Sequence, residues 1–328
     1  MNIEGVNLSL LQNEDNFKTN RNVRSNLIWG INDSENYKLS FFIPTFCRAK
    51  TITETIESIL NQDTEVHFKI VIVDNNPERN DETEIALSAY QNNPYICYYK
   101  NEINIGMVGN WNRGYELIKS EWVSMVHDDD LISDDYVKMI QPLLTKDKDA
   151  VFCKSQYFSD EIIPIDKNEP MVVRKVLLRE LAGGNIFFII GNVMRRSCVI
   201  DLGGFNITAN VCADYLFFSK MTLHKSVYMI SKTLTYYRVA INEGLKISAM
   251  DKMMFYDHTI RKQIMQYLGV PNFVINIDQI YLNSVREKIR QTFNKEYIFA
   301  EFHTENKLLL FVSRVFWKLT RIYLSKCK

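Results

Sequence analysis

The sequence predicts an α/β protein with a mostly parallel sheet and flanking helices, on three observations. Short apolar runs, LSFFIPT, FKIVIVD, YICYYK, EWVSMVH and AVFCK, begin at Leu39, Phe68, Tyr95, Glu121 and Ala150, 26 to 29 residues apart. The segments between them repeat apolar residues at helical spacing. With 328 residues, 46% of them hydrophobic, the chain is long enough to enclose a substantial core.

Residues 1–37 are polar and weakly periodic and are taken as an N-terminal extension. The run at Leu39 is the first strand, and Ile52, Ile56, Ile59 and Leu60 form the apolar stripe of the helix after it. The run at Phe68 is followed by Ile85, Leu87 and Tyr90, that at Tyr95 by Trp111, Tyr115 and Ile118, and that at Glu121 by Tyr136, Met139, Ile140 and Leu143. Strands rich in β-branched and aromatic residues alternating with helices imply βαβ crossovers. Beyond Lys154 the regularity weakens. RKVLLRELAGGN reads as a helix closed by Gly183 and Gly184, and ADYLFFSKMTLHK as another with Asp214 in its first turn. Residues 38–150 and 151–265 are read as two halves of one unit, followed by a C-terminal helical region, 266–328.

Composition excludes several classes. Lys plus Arg equals Asp plus Glu at 39 each, so no global field draws the protein to nucleic acid. The six cysteines show no CxxC spacing, which argues against a zinc site or a disulfide framework and for reduced thiols in a cytoplasmic setting. The first residues, MNIEGVNLSLLQNEDNFKTN, lack the basic start and apolar run of a secretory signal. The longest apolar runs, IFFII and LLLFV, fall far short of the roughly 18 residues of a membrane span. The tail from Lys307, KLLLFVSRVFWKLTRIYLSKCK, holds six Lys or Arg and no acid, with Phe311, Val312, Val315, Leu319 and Ile322 at helical spacing. Two readings stand for 307–328: a helix lying on an anionic leaflet at the inner face of the membrane, or one docked on the protein's own core.

In such sheets a ligand binds beyond the carboxyl ends of the strands. That rule selects Pro44 to Arg48, Asp74 to Pro77, Lys100 to Gly106, and His127 to Asp130. Neither GxxxxGK[ST] nor a GxGxxG after the first strand is present, so a P-loop or dinucleotide site is not expected. Asp128, Asp129 and Asp130 are consecutive, and crowded carboxylates repel unless a cation compensates. The triplet is therefore either a solvated acidic turn with Asp134 capping the next helix, or a seat for Mg²⁺ or Mn²⁺ held together with a diphosphate.

SFFIPTFCRAKTITETIESILNQ, IVIVDNNP, NIGMVGNWNRGYELIKSEWVSMVHDDDLIS, and IDLGGF followed by ADYLFF together resemble the inverting glycosyltransferases of family 2, which have the Rossmann-like GT-A fold. The resemblance covers Leu39 to Met221. It implies transfer of a sugar from a nucleotide-diphosphate donor, most often a UDP-sugar, to a saccharide or lipid-linked saccharide in surface polysaccharide synthesis, with Mn²⁺ or Mg²⁺ as cofactor. Carried over by position, Pro44, Thr45, Phe46 and Arg48 line the base pocket, and Asp74 and Asn75 meet base and ribose. Asp128 meets the ribose, Asp129 ligates the metal, and the triple Asp leaves Asp130 as an alternative ligand. Asp214 becomes the catalytic base, although a plain helix-capping role fits ADYL equally well.

The chain departs from the family pattern at three places. Asn75 stands where Asp is usual, Ala213 where Glu commonly precedes the base, and Ala240 near a frequent His. His127 is read as a buried strand-end residue or a partner behind the metal ligands. The loop Gly183 to Asn192 lies where the family admits its acceptor, and Arg195 and Arg196 are read either as a clamp for a phosphate-bearing acceptor or as surface. Two rival functions share these motifs: a sugar nucleotidyltransferase, whose glycine-rich loop is missing from PTFCRAKT, and a non-catalytic relative that binds sugar nucleotide or glycan.

Overall fold

A computed structural model describes residues 10, 12–159, 161–239, 247–278 and 280–282, together with 311, 312, 315, 316, 318, 319 and 322. In chain order its first half comprises β1 (Ser25–Trp29), β2 (Leu39–Thr45), α1 (Ile52–Leu60), β3 (Lys69–Asp74), α2 (Glu82–Leu87), β4 (Ile96–Asn101), α3 (Met107–Leu117), β5 (Trp122–Met125), β6 (Leu131–Ile132) and α4 (Tyr136–Ile140). The second half comprises β7 (Ala150–Phe158), β8 (Val173–Lys175), α5 (Leu178–Leu181), β9 (Asn192–Arg195), α6 (Arg196–Asp201), α7 (Ala213–His224), β10 (Val227–Arg238) and α8 (Ile247–Tyr267).

Ten strands form one sheet in the order β1-β4-β3-β2-β5-β9-β7-β10-β6, with β8 beside β10. Its core is parallel: β2 pairs β3 on one side and β5 on the other, and β3 pairs β4. Every residue of β2, β3, β4 and β5 is buried, as expected where helices cover both faces of a parallel sheet. Alternate side chains enter two apolar clusters, Phe42, Val71 and Val73 on one face, Phe41, Ile43, Ile70 and Ile72 on the other. Each such side chain contributes about 1.5–3 kcal/mol on burial. Helix α3 lies so close to β2 that a Cβ on Gly114 would sit 2.3 Å from the Phe42 ring, so only glycine fits there.

The second half is mixed. Strand β9 runs antiparallel to both β5 and β7, and β10 returns parallel to β7. The helix expected over RKVLLRELAGGN is shorter than its periodicity suggests: Val173 to Lys175 pair with Ile230 to Tyr228 of β10, and only Leu178–Leu181 is helical. A sheet edge with free backbone groups outcompetes a local helical pattern.

Within the N-terminal segment, β1 pairs antiparallel with β4 and extends the sheet by one strand. The residues before it cross α3 and the turn that follows α6. Arg113 donates to the backbone oxygens of Asn20 and Val23, each at 2.7 Å, and the Asn16 N–H donates to Gly203 O at 2.9 Å. Gly203 has φ +80, and a Cβ there would meet Glu14 O at 1.9 Å, so the glycine pair of LGGF is required by this backbone crossing.

Because β2 is flanked by β3 and β5, the sheet's switch point lies beyond Thr45 and Met125. The acidic triplet follows directly.

Candidate active site

The turn after β5 closes with the Asp130 N–H donating to His127 O at 3.2 Å, which sends the three carboxyl groups in different directions. Asp128 faces β2: its Oδ2 accepts from the Phe46 N–H at 3.3 Å, and Arg48 Nε lies 3.9 Å from its Oδ1. Burial pushes Asp128 up to about 7, and the neighbouring charge of Asp129 adds to the shift while Arg48 opposes it. Asp130 faces β10, where its Oδ1 accepts from the Arg238 N–H at 2.8 Å. Thr55 of α1 donates to the Asp130 carbonyl at 2.8 Å. Arg238 clips the turn from outside, donating to Asp129 O at 2.8 Å and to Glu54 at 2.5 Å.

Two ligand-type atoms remain unsatisfied. Asp130 Oδ2 and His127 Nε2 are buried without a hydrogen-bond partner. Ligand atoms of His127, Asp129 and Asp130 all lie within 4.8 Å of one another. Burial lowers the His127 pKa, which keeps the imidazole neutral with a lone pair to offer, and the Trp111 ring stacks on it at 5.6 Å. Burial, with Asp129 beside it, holds the Asp130 carboxyl well above its usual range. A buried carboxylate without a counter-charge is unfavourable, and a divalent cation supplies that charge. Two carboxylates suit Mn²⁺ or Mg²⁺, and the neutral imidazole adds a nitrogen donor that softer Mn²⁺ accepts more readily than Mg²⁺, so the residues present fit such an ion.

The other strand ends are more inward-looking. Pro44 and Thr45 are buried as the last residues of β2, whereas the Phe46 ring is 47% exposed at the mouth of the crevice. Asp74 ends β3 with no exposure: Oδ2 accepts from Tyr98 at 2.6 Å and Lys100 at 2.8 Å, and Oδ1 from the Asn76 N–H at 2.9 Å. Burial raises the Asp74 pKa, with Lys100 and Tyr98 opposing the shift. Asn75 is engaged as well, accepting from Asn101 and the Ile105 N–H and donating to Asn104.

Asp214 stands in the first turn of α7, half-buried, and accepts from Asn185 Nδ2 at 3.0 Å. Burial pushes it up to about 6, opposed by the Tyr215 N–H and increased by the charge of Asp257. Asn192 pairs with Met125, so the loop before β9, which carries Asn185, leaves the sheet at the same edge as the triplet. A second path joins the two sites: Trp111, stacked on His127, meets the Phe205 ring edge-on at 5.5 Å, and Phe205 leads into the segment before α7.

Residues 40–203, half of the chain, match the family described as Glycosyl transferase family 2. The chain belongs to that family. This family 2 protein is 33% identical over 118 residues to "Uncharacterized glycosyltransferase MG060" of Mycoplasma genitalium, a match spanning 35% of the chain and 40% of that protein. It is 24% identical over 208 residues to "Uncharacterized glycosyltransferase" of Haemophilus influenzae, spanning 60% and 67%. The crystal structure of S. aureus TarS 1-349 in complex with UDP-GlcNAc superposes with a TM-score of 0.52 at 17% identity, covering 70% of this chain and 71% of that one. The GT-A fold expected from the motifs is therefore the fold observed.

In this family 2 chain the expected residues Phe46, Arg48, Asp128, Asp129 and Asp130 meet at the switch point, while Asp214 is reached through the loop before β9. Arg195 and Arg196 lie elsewhere. Arg195 pairs with Trp122 at the start of β5, contacts Glu121 and lies over the Trp122 ring, and Arg196 donates to Tyr115 O. They occupy the opposite edge of the sheet, which removes the phosphate-clamp reading. Reasoning from the sequence did not single out Glu54, Arg238, Asn185 or Asp257, and assigned His127 no place among the ligands. HDDD did carry a signal, because a turn that brings residue i back to i+3 puts His127 beside Asp130.

Proposed function

We propose that this protein transfers a sugar from a UDP-sugar to a hydroxyl of a saccharide, carried on a lipid in surface polysaccharide synthesis, with inversion at the anomeric carbon. The observation that carries this reading is the group of buried, unsatisfied ligand atoms on His127 and Asp130, beside Asp129, at the switch point of a family 2 fold. The UDP-GlcNAc complex of TarS supports the donor class. Asp129, Asp130 and His127 would hold Mn²⁺ or Mg²⁺. When bound, the cation neutralises charge that develops on a departing diphosphate.

The remaining work falls to the chain. Phe46 offers an exposed ring for the base, and Asp128, beside the Phe46 N–H and Arg48, faces the nucleoside side of the crevice. Inversion by one displacement requires a single base on the face of the sugar opposite the leaving group. Asp214 takes the acceptor proton: at about 6 it is mostly ionised at neutral pH yet basic enough to share a proton in the transition state. Asn185 fixes the orientation of that carboxylate.

The tail completes the reading. Phe311, Val312, Val315 and Leu319 are exposed, so an apolar stripe among basic residues is available to an anionic leaflet on the cytoplasmic side. Most of 307–328, and Ala240, lie outside the described residues. Among the described residues no helix is long and apolar enough to cross a membrane.

A panel of nucleotide sugars, each with and without Mn²⁺, tests the proposal through melting temperature and release of nucleoside diphosphate. A UDP-sugar is expected to raise the melting temperature and to be hydrolysed only with the cation. Indifference to every sugar nucleotide and to Mn²⁺ overturns the reading.

A further inference from the structure

The residue before the base, Ala213, is buried and apolar, so α7 itself offers the acceptor no polar contact at that position. A second carboxylate reaches the base from a different element. Helix α8 is tied to the segment before α7 by Cys212 Sγ, which donates to Met253 O at 3.3 Å, and Asp257 stands one turn further along α8. Gly184 has φ +121 and space above it: among the described residues beyond its two chain neighbours, a Cβ there would meet only Asp257 Oδ1, at 4.0 Å. The next residue, Asn185, donates to Asp214. Consecutive residues of one loop thus lie against the two carboxylates, next to that gap, and the charge of Asp257 adds to the burial that raises the Asp214 pKa.

We propose that Asp257 selects the acceptor, receiving hydrogen bonds from hydroxyl groups of a neutral saccharide beside Asp214; this assignment rests on the glycosyltransfer reading above. An ionised carboxylate only accepts hydrogen bonds, so its partner must be a donor. Two carboxylates at one gap repel a phosphate or carboxylate on the acceptor and favour an uncharged polyol. Asp257 is held for this task. Its Oδ2 lies 3.3 Å from Arg261 Nη1, one turn along α8, and Arg261 also bonds the fully buried Asp278. Among the described residues the Asp257 side chain makes no further hydrogen bond, which leaves Oδ1 turned towards the Gly184 gap.

The test uses the full chain with Mn²⁺ and the UDP-sugar that the donor panel selects, and compares transfer to water with transfer to a panel of methyl glycosides and disaccharides. Asp257→Asn and Asp257→Ala should leave UDP release without saccharide within about twofold, and raise the saccharide KM by roughly ten- to a hundredfold, the size of lost hydrogen bonds to a charged group. Asp257→Glu should recover part of the loss. Arg261 keeps Asp278 in all three variants, and melting temperatures check the fold. Equal losses in transfer to water and to saccharide, or an unchanged KM, would show Asp257 to be only a structural partner of Arg261 and overturn the assignment. Wild-type protein that releases UDP from no sugar nucleotide sinks the glycosyltransfer reading itself and removes this assignment with it.

Discussion

Asp130 and Asp214 are carboxylates at the same edge of one sheet, and burial raises the pKa of both, yet their surroundings ask for different partners. Asp130 shares a turn with two more acids, is 1% exposed, and keeps one oxygen without a hydrogen-bond partner. Asp214 sits at a helix start, receives a side-chain amide and a backbone N–H, and is raised only to about 6. The first environment leaves a buried oxygen that a cation would satisfy. The second is suited to a proton. Identical side chains are suited to separate roles because desolvation, like charge and hydrogen-bond donors are combined differently around them.

The largest expected effect separates base from metal site. Asp214→Asn keeps the shape and the neighbouring bonds but cannot take a proton, so transfer should fall by roughly 10²- to 10⁴-fold while donor affinity and Mn²⁺ response persist. In the wild type, transfer measured against pH should rise through about 6 and level off above it, since the proposed base acts in its ionised form. Transfer surviving in Asp214→Asn would reduce Asp214 to a helix cap.

The metal side is sharpened by Asp130→Asn. Replacing a buried carboxyl whose charged form burial already disfavours should not lower the melting temperature in EDTA, while abolishing the further stabilisation by Mn²⁺. Asp214→Asn and Asp257→Asn should keep the Mn²⁺ response. If all three variants respond to Mn²⁺ alike, the triplet is a solvated turn and the contrast between the two carboxylates fails.

The first half was legible because its information is local. Every strand from Leu39 to Met125 is a continuous buried run, each ends in polar residues, and the βα alternation orders those ends along one edge. What stayed hidden depends on contacts distant in sequence. Asp74 stands opposite Lys100 because β3 pairs with β4 in that register, and this turns its carboxyl inward, an outcome that VDNNP alone does not contain. Asn185, Asp214 and Asp257 come from a loop and two helices whose meeting no periodicity encodes. Arg174 and Lys175 lie on a helical pattern but join a sheet edge, and LGGF, which resembles a family motif, owes its glycines to the N-terminal segment crossing it.

The smallest effect is in stability against pH, and it bears on the same contrast. Asp128 is raised from 3.8 to about 7 and Asp214 from 3.8 to about 6, so without metal the folded chain binds more protons than the unfolded chain across that interval. Stability from these groups is therefore fully present below about pH 4 and lost as pH rises through the folded values, a sign opposite to that of an ion-paired carboxylate. Urea unfolding in EDTA at pH 5 and pH 8 should show the loss. Saturating Mn²⁺ at Asp129 and Asp130 places positive charge next to Asp128, favours its ionised form and should shrink the difference towards the part due to Asp214, because a cation lowers the pKa of a neighbouring carboxyl more than that of a remote one. A pH dependence untouched by Mn²⁺ would mean that the charge at the end of β5 is balanced by the chain itself, and the two ends of the site would then differ in geometry but not in chemistry.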